Sequence, residues 1–335
     1  MLEKEQNMNF TLKLITALFI LIVMFTVSMV FGAADISLEE LSKALFTRKV
    51  TDKILIIREI RLPREIAAIF VGSALAVSGA IMQGITKNPL ADPGLLGLSA
   101  GANAALAFTI AFVPRANYFV ILIACIIGAA MGVFMVFGIS FMKRGGFSAF
   151  RIVLAGSAVS TFLFAVAQGI GIYFKISKDV SMWTSGAMIG TTWTQLKVII
   201  PFITAGIVTA MFLARQLTIL SLSEEVALGL GQNTTKVKMI LFVVIVLLAG
   251  SSVALVGNMA FVGLMVPHMV RFIVGSDYRY IIPMSAVAGA ILMLFADTLG
   301  RTINAPYETS VSAIIAIIGL PFFLFIVSKG GKAFS

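Results

Sequence analysis

The chain has 335 residues, of which 59% are hydrophobic and only 12% are charged, and its formal net charge is +10. Because soluble domains carry about 25% charged residues, this composition excludes an ordinary soluble domain. The single cysteine, Cys125, excludes an intrachain disulfide, and we expect its side chain to pack in an apolar interior.

Apolar runs recur from end to end of the sequence. Most are long enough to cross the hydrocarbon core of a bilayer, about 30 Å thick, as a helix. The sequence therefore predicts an all-α polytopic membrane protein, with about ten transmembrane helices in one bundle and a single domain over residues 1–335. The predicted spans are 12–32, 65–84, 95–113, 118–141, 151–173, 196–214, 237–257, 259–274, 281–299 and 309–328. The seventh and eighth spans are the least separated, because no polar loop lies between them.

The first span has features of a signal peptide, because its apolar run ends in Phe31-Gly-Ala-Ala34. The run is longer than the roughly 7–15 apolar residues of a signal, and Glu3 and Glu5 interrupt its basic leader. We therefore keep it as a span. An even number of spans places both termini on one side of the cell membrane, which we predict to be the cytoplasm.

The segment 33–64 between the first two spans is unusually rich in cations. With the N-terminus inside, inner segments hold 13 of the 25 Lys and Arg residues and outer segments hold 12, so the usual inner excess is nearly absent. Seven outer cations lie in this segment: Lys43, Arg48, Lys49, Lys53, Arg58, Arg61 and Arg64. A short amphipathic helix is predicted after a Ser37 cap, with Leu38, Leu41 and Leu45 on its apolar face. We expect a structured outer platform.

Arg61 and Arg64 place two fixed cations at the mouth of the second span. A guanidinium is always charged, so this pair marks either a lipid-headgroup anchor or a docking point for an acidic partner. The span ends in Asn88-Pro-Leu-Ala-Asp-Pro-Gly94, a break whose mechanical role the sequence leaves open.

Residues 215–236 form the longest inner segment. A capping-box pattern, Ser221-x-x-Glu224, predicts the start of a short helix that ends at Gly231. Such a helix either lies on lipid or inserts into a groove of a partner. A lipid-lying helix normally carries Lys and Arg on its polar face, whereas this one carries Glu224 and Glu225, which favours a protein groove.

An internal repeat is visible at an offset of 178 residues. Its members are Gly72-Ser73, Ala76, Gly79 and Pro89, which recur as Gly250-Ser251, Ala254, Gly257 and Pro267. The second copy lies five spans after the first and would cross the membrane in the opposite direction, as in the inverted repeats of transporters. Three glycine pairs with small-xxx-small spacing also predict close helix packing. They are Gly97/Gly101, Gly128/Gly132 and Gly186/Gly190.

The chain carries no energy-coupling chemistry of its own. It has no G-x-x-x-x-G-K-[ST] phosphate loop, so it cannot cradle ATP phosphates, and we expect neither an enzymatic activity nor a cofactor of its own. Carboxylates within the spans are scarce for a carrier driven by protons or sodium. Asp297 lies four residues before Arg301, which favours a local ion pair over a proton relay. His268 is the single histidine and cannot hold a metal alone, so we expect a structural role and no metal site.

Several long motifs occur in a fixed order along the chain. They are Arg61-Leu-Pro-Arg64, Gly72-x-Ala-Leu-Ala-x-Ser-Gly79, Met82-Gln83, Asn88-Pro-Leu-Ala-Asp-Pro-Gly-Leu-Leu-Gly97, Phe261-Val-Gly-Leu-Met-Val-Pro-His-Met-Val-Arg271, Ala296-Asp-x-Leu-Gly-Arg301 and Gly319-Leu-Pro-Phe322. Together they resemble the signatures of the iron-siderophore and cobalamin permease family, the membrane subunits of type II ABC importers. The resemblance extends from the first span to the C-terminus.

This resemblance implies a ten-span permease that pairs with a second copy or a paralogue in the lipid bilayer. Two ATPase subunits bind the inner face of such a pair and a substrate-binding protein docks outside; no nucleic acid is involved. By resemblance, Arg61, Arg64 and Arg301 meet carboxylates of the binding protein. The implied coupling surface for the ATPase consists of Glu224, Glu225, Ala227, Leu230 and Gly231.

The resemblance also implies a central path between the two permeases, to which the fifth and tenth spans contribute. Thr161, Gln168 and Ser312 are the polar candidates on those spans. Because no dense acidic or histidine cluster is present, a chelated metal is a better candidate substrate than free iron. Ferric siderophore is the first choice, with cobalamin and haem as alternatives. A stand-alone ion-coupled secondary carrier is the competing class.

Overall fold

A computed structural model describes residues 2–32, 36–47, 50–113, 115–141, 149–186 and 188–328. These residues are predominantly helical, and no strand occurs among them. The all-α class predicted from composition is therefore confirmed.

The N-terminal part of the bundle consists of four helices. Helix α1 (Leu2–Val30) is followed by the short helices α2 (Leu38–Phe46) and α3 (Asp52–Leu55) and by α4 (Leu62–Thr86). Residues Ile56–Arg61 form a π-helical turn that joins α3 to α4, so that 52–86 is one unbroken helix. The last dozen residues of the predicted outer segment 33–64 are therefore helical.

Pro63 gives a physical reason for the π turn. Proline has no N–H to donate and its ring collides with the carbonyl four residues earlier in a regular helix. In the wider turn, the N–H of Leu62 reaches back five residues to the carbonyl of Ile57. The helix thus passes through Pro63 without ending.

The remaining helices follow in chain order. They are α5 (Leu98–Phe112), α6 (Tyr118–Phe141), α7 (Ala149–Tyr173), α8 (Ser177–Thr184), α9 (Trp193–Phe212), α10 (Ala214–Leu222), α11 (Glu224–Gly229), α12 (Thr234–Val256), α13 (Val262–Val274), α14 (Tyr278–Thr302) and α15 (Val311–Ser328). A 3₁₀ turn, Pro93–Leu96, precedes α5. Gly257, at a φ of 71°, ends α12 and separates the seventh predicted span from the eighth.

Seven helices among the described residues have the length and hydropathy needed to cross a membrane. They correspond to the first, second, fourth, fifth, sixth, seventh and ninth predicted spans. The third, eighth and tenth predicted spans coincide with the shorter apolar helices Leu98–Phe112, Val262–Val274 and Val311–Ile326. The polytopic bundle is confirmed, whereas ten crossings stays a prediction.

Helix α4 occupies the centre of the bundle, where it packs against α9, α12, α13 and α14. Two of its glycines permit close crossings. Gly72 lies against the backbone of Gly289 in α14, and Gly79 lies against the backbone of Gly263 in α13. Association by close backbone approach is typical of helices in lipid, where apolar burial gives little advantage.

The arrangement of the helices has the character of a repeat. Helix α4 packs against α13 and α14, while α12 packs in the same way against α5 and α6, and α9 contacts both α4 and α12. However, α4 ends at Thr86 and α12 at Val256, so the repeats align at an offset of 170 residues. The predicted offset of 178 pairs Pro89, in a non-helical break, with Pro267, inside α13.

The glycine pairs fall into two groups. Gly101 packs against Gly128, and Gly97 packs against Gly132, so the first two predicted pairs join α5 to α6. The third pair is different, because Gly186 and Gly190 have φ values of 70° and 78° and lie in the loop before α9. The prediction of helix packing is wrong for that pair.

Helix α2 begins as predicted, because Ser37 Oγ accepts the Glu40 N–H and the Glu40 carboxylate accepts the Ser37 N–H. Its buried face is different from the predicted one. Leu41 and Ala44 are buried, whereas Leu38 and Leu45 are exposed. The buried residues form a small separate core with the end of α1 and the start of the long helix: Met29, Ile36, Leu41, Ala44, Ile54 and Ile57.

Candidate functional site

One end of the bundle, which we name the arginine end, holds a cluster of buried charges. Arg64 donates from Nε to both carboxylate oxygens of Asp297 at 2.9 and 3.1 Å, and from Nη2 to Oδ1 at 2.8 Å. Its remaining nitrogen, Nη1, donates to Glu308 at 2.9 Å. This fork geometry matches a carboxylate with two parallel bonds, which is the strong form of an ion pair.

Arg301 completes the cluster from the same helix as Asp297. Its Nη2 donates to Glu65 and to the carbonyl and hydroxyl oxygens of Ser28, and its Nε lies 3.0 Å from Asp297. Ser28 in turn donates to Glu65. The ion pair expected from the spacing of Asp297 and Arg301 is therefore present, but it is one part of a network joining α1, α4 and α14.

The side chain of Arg61 caps the C-terminal end of helix α1. Its Nη1 donates to the carbonyls of Met29 at 2.6 Å and Val30 at 3.0 Å. The last carbonyls of a helix have no partner within the helix and carry its negative dipole end, so a guanidinium there is favourable on both counts. Arg61 thus attaches α1 to the long helix that begins at Asp52.

The three arginines are only 5 to 7% exposed, and the structure brings them together with three carboxylates of this chain. Their contact with a binding protein stays a prediction. Sequence reasoning missed Glu65, Glu308 and Ser28. Glu65 directly follows Arg64 and could have been suspected as a buried acid, whereas nothing near Glu308 in the sequence indicates its partner.

The predicted basic platform is nearly balanced in charge. Segment 33–64 holds five acids beside its seven cations, for a net charge of +2. Lys43 pairs with Glu39 and Lys53 with Glu40. The Ser37 N–H and the Lys53 ammonium lower the pKa of Glu40 to about 2. Arg48 and Lys49 lie outside the described residues.

The break after α4 contacts the start of α13. Asp92 Oδ1 accepts the Gly94 N–H at 2.7 Å, and its Oδ2 faces Gly263 in the first turn of α13. A Cβ built at Gly263 would lie 3.1 Å from both Asp92 and Pro93, which is tighter than ordinary van der Waals contact, so the break packs closely against the beginning of α13. The Asn-Pro-Leu-Ala-Asp-Pro-Gly motif therefore joins the two halves of the bundle.

A second polar link lies nearby in α4. Gln83 donates to the carbonyls of Gly263 at 3.3 Å and Leu264 at 3.1 Å, and accepts from Arg271 at 2.7 Å. Arg271 also donates to the hydroxyl of Tyr278. The Met82-Gln83 motif is thus explained by helix packing.

The opposite end of the bundle carries the predicted coupling segment. The predicted short helix is present as α11, but it begins two residues later than predicted, because Ser223 is extended and separates α11 from α10. The cap is Ser223, which accepts the Val226 N–H at 2.9 Å, whereas Ser221 donates to Thr218. Helix α11 ends next to Gly231, whose φ is 75°.

Helix α11 presents an apolar surface away from the bundle. Ala227 is fully buried, while Val226, Leu228 and Leu230 are 46 to 67% exposed. Glu224 pairs with Lys238 of α12 at 2.7 Å, and that bond lowers its pKa. Glu225 is exposed. The pair with Lys238 fixes α11 on α12 and leaves its outer surface uncovered.

The predicted pathway residues lie on two separate helices. Thr161 is exposed on α7 and donates to the Ser157 carbonyl, and Gln168 is half-buried on the same helix. Ser312 is on α15, where its N–H bonds to Gly186. Helix α7 packs against α5, α6 and α8, and α15 packs against α13 and α14, so these residues belong to different repeats.

The two reactive side chains noted in the sequence are in packed positions. Cys125 is fully buried in α6. His268 is 2% exposed and meets Phe272 and Phe322 edge to face, with centroids 5.2 and 5.8 Å away. Both observations agree with structural roles.

Comparison with protein families gives a match over nearly the whole chain. The model of the FecCD transport family covers residues 20–329. The chain belongs to the FecCD transport family. The match includes both the arginine end and the α10–α11 segment.

Several permeases of import systems are similar to this chain over most of their length. The iron(3+)-hydroxamate import system permease protein FhuB of Bacillus subtilis (strain 168) is 42% identical over 89% of this chain and 78% of its own. The Fe(3+)-citrate import system permease protein YfmD of the same organism is 39% identical over 98% of this chain and 97% of its own. The hemin transport system permease protein HmuU of Yersinia pestis is 38% identical over 81% of this chain and 82% of its own.

Solved structures agree with the FecCD assignment. An inward-facing metal-chelate type ABC transporter matches with a TM-score of 0.80 and 25% identity over 94% of this chain and 98% of the matched one. PsaBC from Streptococcus pneumoniae matches with a TM-score of 0.61 at 18% identity, which shows a shared fold. This FecCD protein is therefore a multi-pass membrane permease of the ABC-importer type, and a permease subunit is not itself catalytic.

Proposed function

We propose that this chain is the membrane-spanning subunit of an ATP-driven importer for a ferric siderophore. The observation that carries the proposal is similarity along almost the whole chain to permeases named for iron(3+)-hydroxamate and Fe(3+)-citrate import. Haem is the second candidate, because a hemin permease is also similar. No relative described above favours cobalamin.

The α11 surface supports an ATPase partner on the cytoplasmic side. A short helix, fixed to α12 by the Glu224–Lys238 pair and exposing Val226, Leu228 and Leu230, fits a hydrophobic groove. Glu225 adds an exposed charge beside it. In this proposal the ATPase pair closes on ATP, moves α10 and α11, and changes the angle between two permease subunits.

A second permease subunit is supported by α7. Ser157, Thr161, Ala165 and Gly169 are exposed at intervals of four residues, and nothing lies within 4 Å of a side chain built at Gly169. Small residues at this spacing permit close approach of another helix. The proposed path runs between two such subunits, and Thr161, Gln168 and Ser312 are its polar residues.

Docking of an external binding protein is proposed for the arginine end. Arg61, Arg64 and Arg301 converge there from distant parts of the chain. Because Arg61 and Arg301 are occupied by buried groups, the proposed contact passes through Arg64, whose Glu308 partner is partly exposed.

Uptake into proteoliposomes tests the proposed function. The chain is reconstituted with its ATPase and binding protein, and accumulation of radioactive iron from ferrioxamine is measured with ATP inside. We expect uptake that requires ATP and both partners and that excess hemin does not inhibit. Inhibition by hemin would favour haem as the substrate. Uptake by the chain alone under a proton or sodium gradient would favour a secondary carrier.

A further inference from the structure

We propose that Glu308 occupies, in the undocked permease, the position on Arg64 that a carboxylate of the external partner takes on docking. Docking is then an exchange of one carboxylate for another. This inference rests on the proposed function, since it concerns the outer partner of an importer. It assigns to Glu308 the role of an internal competitor.

The two carboxylates on Arg64 differ in how firmly they are held. Asp297 is fully buried within α14 and receives bonds from two nitrogens of Arg64. Glu308 receives one bond, lies between α14 and α15, and has a side chain that is 31% exposed. Only Glu308 can return to water when it leaves, so it is the exchangeable partner.

Space for an incoming carboxylate lies beside this bond. A cavity of about 140 Å³ is lined by Arg64, Ser185, Met188, Ile189, Glu308, Thr309, Ser310 and Val311. A water molecule takes roughly 30 Å³ of liquid volume, so the cavity is large enough for a carboxymethyl group. Ser185 and Ser310 are at its wall, and each of their hydroxyls donates to a backbone carbonyl, so the donor offered to the incoming carboxylate is Arg64.

The loop that carries Glu308 is fixed immediately after it. Thr309 donates to the Gly300 carbonyl at 2.9 Å, and Ser310 donates to the Ser185 carbonyl. Rotation of the Glu308 side chain therefore suffices for exchange, and the loop need not unfold. Loss of Glu308 leaves the buried Nη1 of Arg64 without an acceptor, which is costly until another acceptor arrives. The site thus selects a partner that carries a carboxylate.

Binding measurements on three variants test the exchange. The permease–ATPase complex in nanodiscs is titrated with the purified ferric-hydroxamate-binding protein of its import system. Glu308→Ala removes the competitor, and we expect binding about three- to fivefold tighter, the factor for one partly exposed ion pair. Glu308→Gln keeps an acceptor for Nη1, so we expect a smaller gain.

Glu59→Gln is the matched control. Glu59 is an exposed acid on the same unbroken helix as Arg64. The substitution removes one negative charge without contact to Arg64, and we expect no more than the general electrostatic gain. Equal effects of Glu59→Gln and Glu308→Ala, or weaker binding by Glu308→Ala, would overturn the proposal. Failure of wild-type permease to bind the protein would refute the proposed importer function instead.

A measurement without any partner examines the same site. Phenylglyoxal modifies accessible arginines, and the extent of modification at Arg64 is read by mass spectrometry of the folded complex. We expect several-fold faster modification of Arg64 in Glu308→Ala than in wild type, with Arg301 unchanged as an internal reference. Unchanged modification of Arg64 would show that Glu308 does not cover it and would overturn the exchange even if no binding protein is at hand.

Discussion

Asp297 carries the greatest share of the charge compensation at the arginine end. Both oxygens of its carboxylate accept hydrogen bonds from Arg64, and one of them also pairs with Arg301. The side chain is fully buried. Two guanidiniums in an environment without water need this negative charge, because an isolated buried ion is expensive. These contacts favour a structural role for Asp297 over a proton relay.

Asp297→Asn should destabilise the permease by about 3–5 kcal/mol, the usual effect of removing one partner of a buried ion pair. The amide keeps the size of the side chain, so the loss is one of charge. Thermal unfolding in detergent measures it, with the exposed acid Glu59→Gln as the control, for which no more than a small change is expected. Equal unfolding temperatures for both variants would contradict the role given to Asp297.

Only the local part of this residue network could be predicted from the sequence. The spacing of Asp297 and Arg301 predicted their contact, because residues four apart share a helix face. Arg64 and Asp297 are 233 residues apart, and Glu65 and Arg301 are 236 apart. Such pairs depend on how α4 crosses α14, which no local pattern records. Arg61 and Arg64 were consequently interpreted as cations at the membrane boundary, with no partner predicted within this chain.

At the scale of elements, the crossings of α4 depend on glycines that face backbone. Gly79 meets Gly263 directly, and Gly72 meets Gly289. A methyl group at either position collides with main chain, which cannot move aside as a flexible side chain can. These contacts fix the distance between α4 and its neighbours.

Gly79→Ala should lower stability by about 1–3 kcal/mol or more, because overpacking forces the helices apart. Gly138→Ala is the matched control, since Gly138 is in helix α6 and no atom lies within 4 Å of a side chain built there. The control should be neutral or stabilising by up to about 1 kcal/mol, from helix propensity alone. Thermal unfolding of both variants in detergent decides; greater loss for Gly138→Ala would contradict the packing argument.

Helices were predicted well where the length of an apolar run determines their position. Their ends were predicted poorly where a cap or a break determines the boundary. Long apolar runs located the membrane helices, and α2 began at its predicted cap. The π turn before α4 was not predicted, because the second span was predicted only from residue 65 onward. Ser223 was missed as the α11 cap because Ser221 offers the better sequence pattern. Which of two serines two residues apart caps the helix depends on the backbone conformation of each, and the sequence pattern does not show that conformation.

At the scale of the whole molecule, one group of helices packs around α4 and another around α12, and α9 contacts both of these helices. The arginine end and the α10–α11 end lie at opposite ends of α4, since Arg64 is near its start and Gly84, near its finish, contacts Leu217 of α10. A transporter with one partner on each side of the membrane requires this separation. Helices α4 and α12 make corresponding contacts, whereas the inverted repeat stays a prediction, and small residues alone could not fix its register.

Labelling of single cysteines tests the predicted orientation. In a Cys125→Ala background, Ser42→Cys on α2 and Lys236→Cys near the start of α12 mark the two ends. A membrane-impermeant maleimide should label Ser42→Cys in intact cells and Lys236→Cys only after permeabilisation. The opposite result would place both termini outside. Cys125 itself should resist the reagent, because its side chain is fully buried.

The distances in sequence across the charge cluster have a consequence for biosynthesis. Arg64 is made 233 residues before Asp297, and a ribosome adds about 5–20 residues per second, so the arginine waits roughly 10 to 50 s for its counter-ion. A charged side chain is costly within lipid, and the 52–86 helix must therefore keep its charged end in water during that interval. We therefore expect the helix at the centre of the finished bundle to reach its final depth only after Asp297 of α14 has been made.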